Sequence, residues 1–98
     1  MMTANSSYGT IKGLVTDPAG RPIAKALVQC VLISDGFSEM VSSDENGGFQ
    51  FSKLLPGEYS LSVTMSGHHF KPLHSVLLVA GQVKQLEVSS LMADPYSA

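Results

Sequence analysis

Apolar and polar side chains alternate one by one through much of this chain, and that period confines it largely to strands. Between Glu58 and Met65, the residues Tyr59, Leu61, Val63 and Met65 fall on one face, and Glu58, Ser60, Ser62 and Thr64 on the other. A strand with one covered and one wet face reads this way. The i, i+3, i+4, i+7 spacing of an amphipathic helix is hard to find. Turn chemistry punctuates the alternation. Asp17-Pro18-Ala19-Gly20 places Pro and Gly where a reverse turn favours them. Asp44-Glu45-Asn46-Gly47-Gly48 carries the Asn-Gly pair that tolerates the positive φ of a hairpin. Leu54-Leu55-Pro56-Gly57 and Ala80-Gly81-Gln82 supply two further reversals. Strands are expected near 9–16, 26–34, 38–43, 48–52, 58–66, 69–79 and 83–91. About seven short strands between such turns predict an all-β fold, an antiparallel β-sandwich of Greek-key type.

The 98 residues suit one domain, expected over residues 9–91 between flexible tails at 1–8 and 92–98. A net charge of −2 offers no electrostatic footprint for nucleic acid. The longest apolar run, Val76 to Ala80, is far short of the ~18 residues a spanning helix needs, so membrane insertion is not expected. A single cysteine, Cys30, excludes an intrachain disulfide framework and a cysteine-based zinc cluster. Met1 to Tyr8 has neither a basic start nor an apolar stretch and does not read as a signal peptide. The chain therefore reads equally as a small protein made without one or as a piece of a longer chain. Only 14% of residues are charged, against about 25% in ordinary soluble domains.

Two motifs are familiar. Asp17, Gly20, Pro22, Ala26 and Val28 form D-x-x-G-x-P-x-x-x-A-x-V. Asp44, Gly47, Phe49, Phe51, Leu54, Pro56, Gly57, Tyr59 and Leu61 form D-x-x-G-x-F-x-F-x-x-L-x-P-G-x-Y-x-L. Over residues 9–91 the chain resembles the carboxypeptidase regulatory-like domains, small sandwiches of the transthyretin (prealbumin-like) type. The resemblance implies an accessory module that aids folding, spaces its neighbours or offers an interaction surface. It also implies an extracytoplasmic or cell-surface setting. Two active relatives match poorly. Hydroxyisourate hydrolases of this fold end in Tyr-Arg-Gly-Ser, whereas the only arginine here is Arg21 in a turn and the tail lacks that motif. Collagen-adhesin B-type domains join a first-strand lysine to a last-strand asparagine; Lys12 is present, but residues 83–91 contain no asparagine.

The remaining candidate chemistry reads as structural. His68 and His69, being adjacent, point to opposite faces of a strand, and His68 and His74 lie six residues apart, ~20 Å along it. No metal is expected at bonds of ~2.0–2.1 Å from that spacing. At the twelfth position counting Asp44 as the first, where an EF-type calcium loop needs a glutamate, stands Leu55. Glu39, Asp44 and Glu58 carry no sign of a shared cleft, and Cys30 has the parity of a small buried hydrophobe. No nucleophile-elbow motif accompanies the serines, and neither catalytic residue nor cofactor is expected.

One feature exceeds a plain sandwich. Val28, Cys30 and Leu32 can face the core, which leaves Leu27, Val31 and Ile33 on the opposite face; likewise Val76 and Leu78 leave Leu73, Leu77 and Val79. A two-layer sandwich covers one face of each sheet. These six residues are therefore the candidate interaction face, for a protein partner, the parent chain or a second copy. The function expected is a non-catalytic structural or interaction module. A carbohydrate-binding accessory domain is the alternative, opposed by the absence of Trp and the scatter of Tyr8, Phe37 and Tyr96; a hydrolase is the remote one.

Overall fold

The structure, a computed structural model, describes residues 8–91. The strands are β1 (Gly9–Thr16), β2 (Leu27–Leu32), β3 (Ser38–Ser42), β4 (Gly48–Leu54), β5 (Gly57–Thr64), β6 (Leu73–Leu78) and β7 (Val83–Ser89). They form a three-stranded sheet in the order β4-β1-β7 and a four-stranded sheet in the order β3-β2-β5-β6. Seven strands in two sheets is the architecture that the alternation predicts. The two expected tails fall, apart from Tyr8, outside the described residues.

One pairing departs from an all-antiparallel sandwich: β1 and β7 run parallel, from Thr10↔Val83 to Thr16↔Ser89. The reason is parity of strand count. Every connection reverses the chain, so odd-numbered strands share a direction. The pairs β1–β4, β2–β3, β2–β5 and β5–β6 each join an odd with an even strand and are antiparallel. Only β1 and β7, both odd, meet as neighbours.

Ile11, Val15, Val28, Cys30, Phe51, Leu54, Tyr59, Leu61 and Leu78 are fully buried between the sheets. Phe49 and Phe51 meet edge to face with ring centroids 6.1 Å apart, a geometry that aromatic quadrupoles favour. Gly13 makes room for Phe49, because a Cβ there would collide with the Phe49 ring and the Leu86 carbonyl.

Two bulges alter the expected parity. Between Gly9↔Leu54 and Ile11↔Phe51 the ladder slips at Lys53, whose φ is +56°. Between Tyr59↔Val76 and Leu61↔Leu73 it slips again, with Ser75 at φ +62°. An extra residue in one strand reverses the face on which all following side chains fall. Leu73, expected to face outward with Leu77, is therefore turned inward and packs half-buried against the core. The strand expected from residue 69 begins only at Leu73. Pro72 lacks the N–H to extend the ladder, Phe70 packs against the core, and the His69 carbonyl accepts a hydrogen bond from the Leu91 N–H at 2.7 Å.

Candidate interaction surface

The familiar motif letters make turns and core. At Asp44 the carboxylate accepts the N–H groups of Asn46 (2.9 Å) and Gly48 (2.7 Å), while its carbonyl accepts the Gly47 N–H at 2.9 Å. Phe49, Phe51, Leu54 and Leu61 then point into the core. The Pro56-Gly57 reversal is tied down by Tyr59, whose buried ring carries its hydroxyl back to donate to the Leu55 carbonyl at 2.6 Å. Gly57 admits Leu32, since a Cβ there would lie 2.7 Å from Leu32 Cδ1. The sequence reading missed Ser43. Its buried hydroxyl donates to the Ile23 carbonyl (2.7 Å) and accepts the Ala26 N–H (2.9 Å), joining the β1–β2 connection to the end of β3. A lone serine among serines carries no local signal for this.

The candidate catalytic and metal side chains stay apart. His68 is half-buried with its ring 6.2 Å from Phe70, and His69 and His74 are exposed. Among the described residues, no group of three His, Cys, Asp or Glu could hold a metal ion. The Cys30 thiol is buried, and burial above all, helped by the nearby Glu39 carboxylate, pushes it up to about 11. A thiol so held is protonated and unreactive at neutral pH. Arg21 is paired with Asp17 across a turn at 3.1 Å. Lys12 alternates with the buried Ile11 and Gly13, so it lies on the outer face of the three-stranded sheet, between Gln50 of β4 and Gln85 of β7. The exposed aromatics Tyr8 and Phe37 stand at the start of β1 and in the β2–β3 turn, parts of different sheets.

The outer face of the four-stranded sheet gathers part of the expected apolar set. Leu27, Val31 and Ile33 line up along β2 and its extension, with Leu27 and Ile33 exposed and Val31 half-buried. Across the β2–β3 register, Gln29 faces Met40, which adds an apolar side chain 53% exposed that the sequence reading left out. On the other side, Leu27, Gln29 and Val31 face Thr64, Ser62 and Ser60 of β5. Glu58 continues that polar stripe and faces Leu77 of β6. Leu77 and Val79, each 59% exposed, are thus separated from the β2 group by the width of β5, about 10 Å from strand to strand. The six expected residues therefore do not form one patch. Three stay together on β2, two stand apart, and Leu73 is inside.

The sheet edges are guarded. Free edges invite pairing with another chain and are commonly blunted by bulges, prolines or charges turned inward. The edge strand β4 carries the Lys53 bulge, and β6 has the Ser75 bulge behind Pro72. On β7, Lys84 lies opposite Ile11 and shares its inward parity; on β3, Glu39 does the same opposite Cys30. Each of the four outer strands thus carries an obstacle to edge-to-edge addition, so contacts fall more readily to the faces.

Fold and surface together define a small two-layer β-sandwich whose distinctive side chains serve turns and core. The carboxypeptidase regulatory-like domain family model matches residues 10–90, and the chain belongs to that family. No curated protein sequence matches it. Among solved structures it is similar to a streptococcal ancillary pilin (TM-score 0.68, 17% identity), covering 89% of this chain and 33% of that one. GBS52, the minor pilin of Streptococcus agalactiae, gives a TM-score of 0.66 at 16% identity, over 94% of this chain and 48% of that one. A 3-chlorocatechol 1,2-dioxygenase from Rhodococcus opacus gives 0.63 at 12% identity, over 87% of this chain and 60% of that one. The chain spans less than half of either pilin. At these identities the likeness is one of fold, which pilins and an oxygenase share.

Proposed function

We propose that this chain is a non-catalytic interaction and spacer module, an accessory sandwich within a larger surface, secreted or particle-associated assembly. One observation carries the reading: the family's motif residues are engaged in turns and core, while Leu27, Val31, Ile33 and Met40 gather on the outer face of the four-stranded sheet. Its contact surface is the β2–β3 strip of Leu27, Val31, Ile33 and Met40, bordered by the β5 hydroxyl stripe. Exposed aliphatic side chains framed by hydroxyls suit a protein partner better than a sugar, which would be met by paired aromatics. The likeness to pilins supports an assembly context and an extracytoplasmic location.

The test is site-specific photo-cross-linking in cells that make the protein. A photoreactive residue at Met40 is expected to give one discrete adduct, and the same group at Gln85, on the opposite sheet, none. Equal labelling from both positions, or no adduct at Met40, would remove the strip from consideration.

A further inference from the structure

The Asp44–Gly48 turn, which carries the chain from β3 in one sheet to β4 in the other rather than closing the hairpin expected, contains an exposed Asn46 followed by Gly47, and its geometry bears on a reaction that needs no enzyme. In an Asn-Gly sequence the glycine backbone nitrogen can attack the asparagine Cγ. A nitrogen–Cγ bond forms, the side-chain amide bond breaks, and ammonia departs with the proton from the glycine N–H. The resulting succinimide is opened by water at either carbonyl. Addition at Cγ leaves an aspartate; addition at the main-chain carbon routes the backbone through Cβ as an isoaspartate, one methylene longer.

In the folded protein the backbone that must move in that reaction is restrained. The Gly47 N–H donates to the Asp44 carbonyl at 2.9 Å, so the attacking nitrogen is engaged. The Asn46 N–H donates to the Asp44 carboxylate at 2.9 Å, which holds the asparagine backbone in the turn. The Gly47 carbonyl accepts the Val15 N–H at 2.8 Å, and a Cβ on Gly47 would lie only 2.5 Å from the Val15 carbonyl. Gly47 is therefore fixed on both sides against a fully buried strand residue. An added methylene between positions 46 and 47 has nowhere to go without parting Gly47 from Val15.

We propose that Asn46 is a covalent ageing site of this protein: it is protected while the turn is closed, reacts when the turn opens, and as isoaspartate prevents the turn from closing again. The reaction then proceeds in proportion to the fraction of time the turn is open. The molecule contains its own comparison. Asp17-Pro18-Ala19-Gly20-Arg21 makes the same set of turn hydrogen bonds, with Ala19 where the other turn has Asn46. It has the geometry without the reactive amide. The inference is independent of what the outer face binds.

The experiment compares the intact chain in mildly alkaline native buffer with the same chain in urea. Peptide mapping with fragmentation that separates aspartate from isoaspartate follows position 46. Conversion is expected to be slower in native buffer by a factor of about ten or more, with isoaspartate the larger product in urea. Ser43→Ala, which removes the hydroxyl bonds next to the turn, is expected to speed conversion in native buffer. Fractions carrying isoaspartate are expected to melt well below fresh protein, whereas Asn46→Asp, which adds the charge without the methylene, melts close to it. Equal rates in the two buffers, no conversion in urea, or isoaspartate fractions that melt with fresh protein would each overturn the proposal.

Discussion

The turns at Asp17 and Asp44 are built from the same bonds and set in different surroundings. In each, one carboxylate oxygen accepts the N–H groups two and four residues on, and the carbonyl accepts the N–H of a glycine three residues on. Both glycines are left-handed, Gly20 at φ +88° and Gly47 at φ +78°. The difference lies beyond the turn. Around Gly20 a Cβ would meet nothing within 4 Å, while around Gly47 it would meet Val15, Pro22 and Ile23. The residues before the aspartates differ as well: the Thr16 hydroxyl contacts only the Ser89 hydroxyl at 3.1 Å, whereas Ser43 bonds two buried backbone groups. The first turn is a local device at the rim. The second is a joint between both sheets. Turn chemistry makes the reversal, and the neighbours decide how much of the fold depends on it.

Glycine replacement separates the two most sharply. Gly20→Ala incurs only the left-handed backbone penalty, about 1 kcal/mol. Gly47→Ala adds a collision with main chain and is expected to lose about 3 kcal/mol or more. Urea unfolding of the two variants reads the gap directly, and similar midpoints would break the distinction.

Ser43→Ala is next. It strands the Ala26 N–H and the Ile23 carbonyl in a buried setting, which is expected to cost about 2 kcal/mol. Thr16→Val, at the equivalent place before the first turn, is expected to cost less than half of that by the same measurement.

Acid gives the smallest effect. The Asp17 carboxyl is held below its ordinary range, first by the Arg21 backbone N–H, which together with the Arg21 charge and the Ala19 N–H outweighs an opposing desolvation. A folded-state pKa below the unfolded one stabilises the protein above the ordinary carboxylate range, and that contribution disappears as the pH falls through it. Asp17→Asn should therefore lower stability slightly at neutral pH and leave the acid end nearly unchanged, which flattens a small part of the acid limb in urea titrations. An unaltered acid limb would show that the exposed turn carries no such linkage.

Much of the architecture was legible in the sequence because its determinants are local. The Asp-x-x-Gly turns sit where the residues place them, and Tyr59, Leu61, Phe49 and Phe51 point inward as their parity requires. The candidate face was legible only in part. Leu27, Val31 and Ile33 share a face as expected, since no bulge interrupts β2. Leu73 does not, because Ser75 takes a left-handed φ that no preference of serine announces. Met40 was missed because its exposure on the β2 face follows from its pairing with Gln29 rather than from its own short strand.

By itself the sequence determined where the chain reverses and which side chains of each strand share a face, because turn preference and pleat act over a few residues. Only the tertiary structure decided that β1 lies between β4 and β7, that β7 runs parallel to it, and that β5 divides the apolar residues of β2 from those of β6. A strand alternates in the same way whichever neighbour it pairs with, so the choice of neighbour is made by burial and strand count across the whole domain.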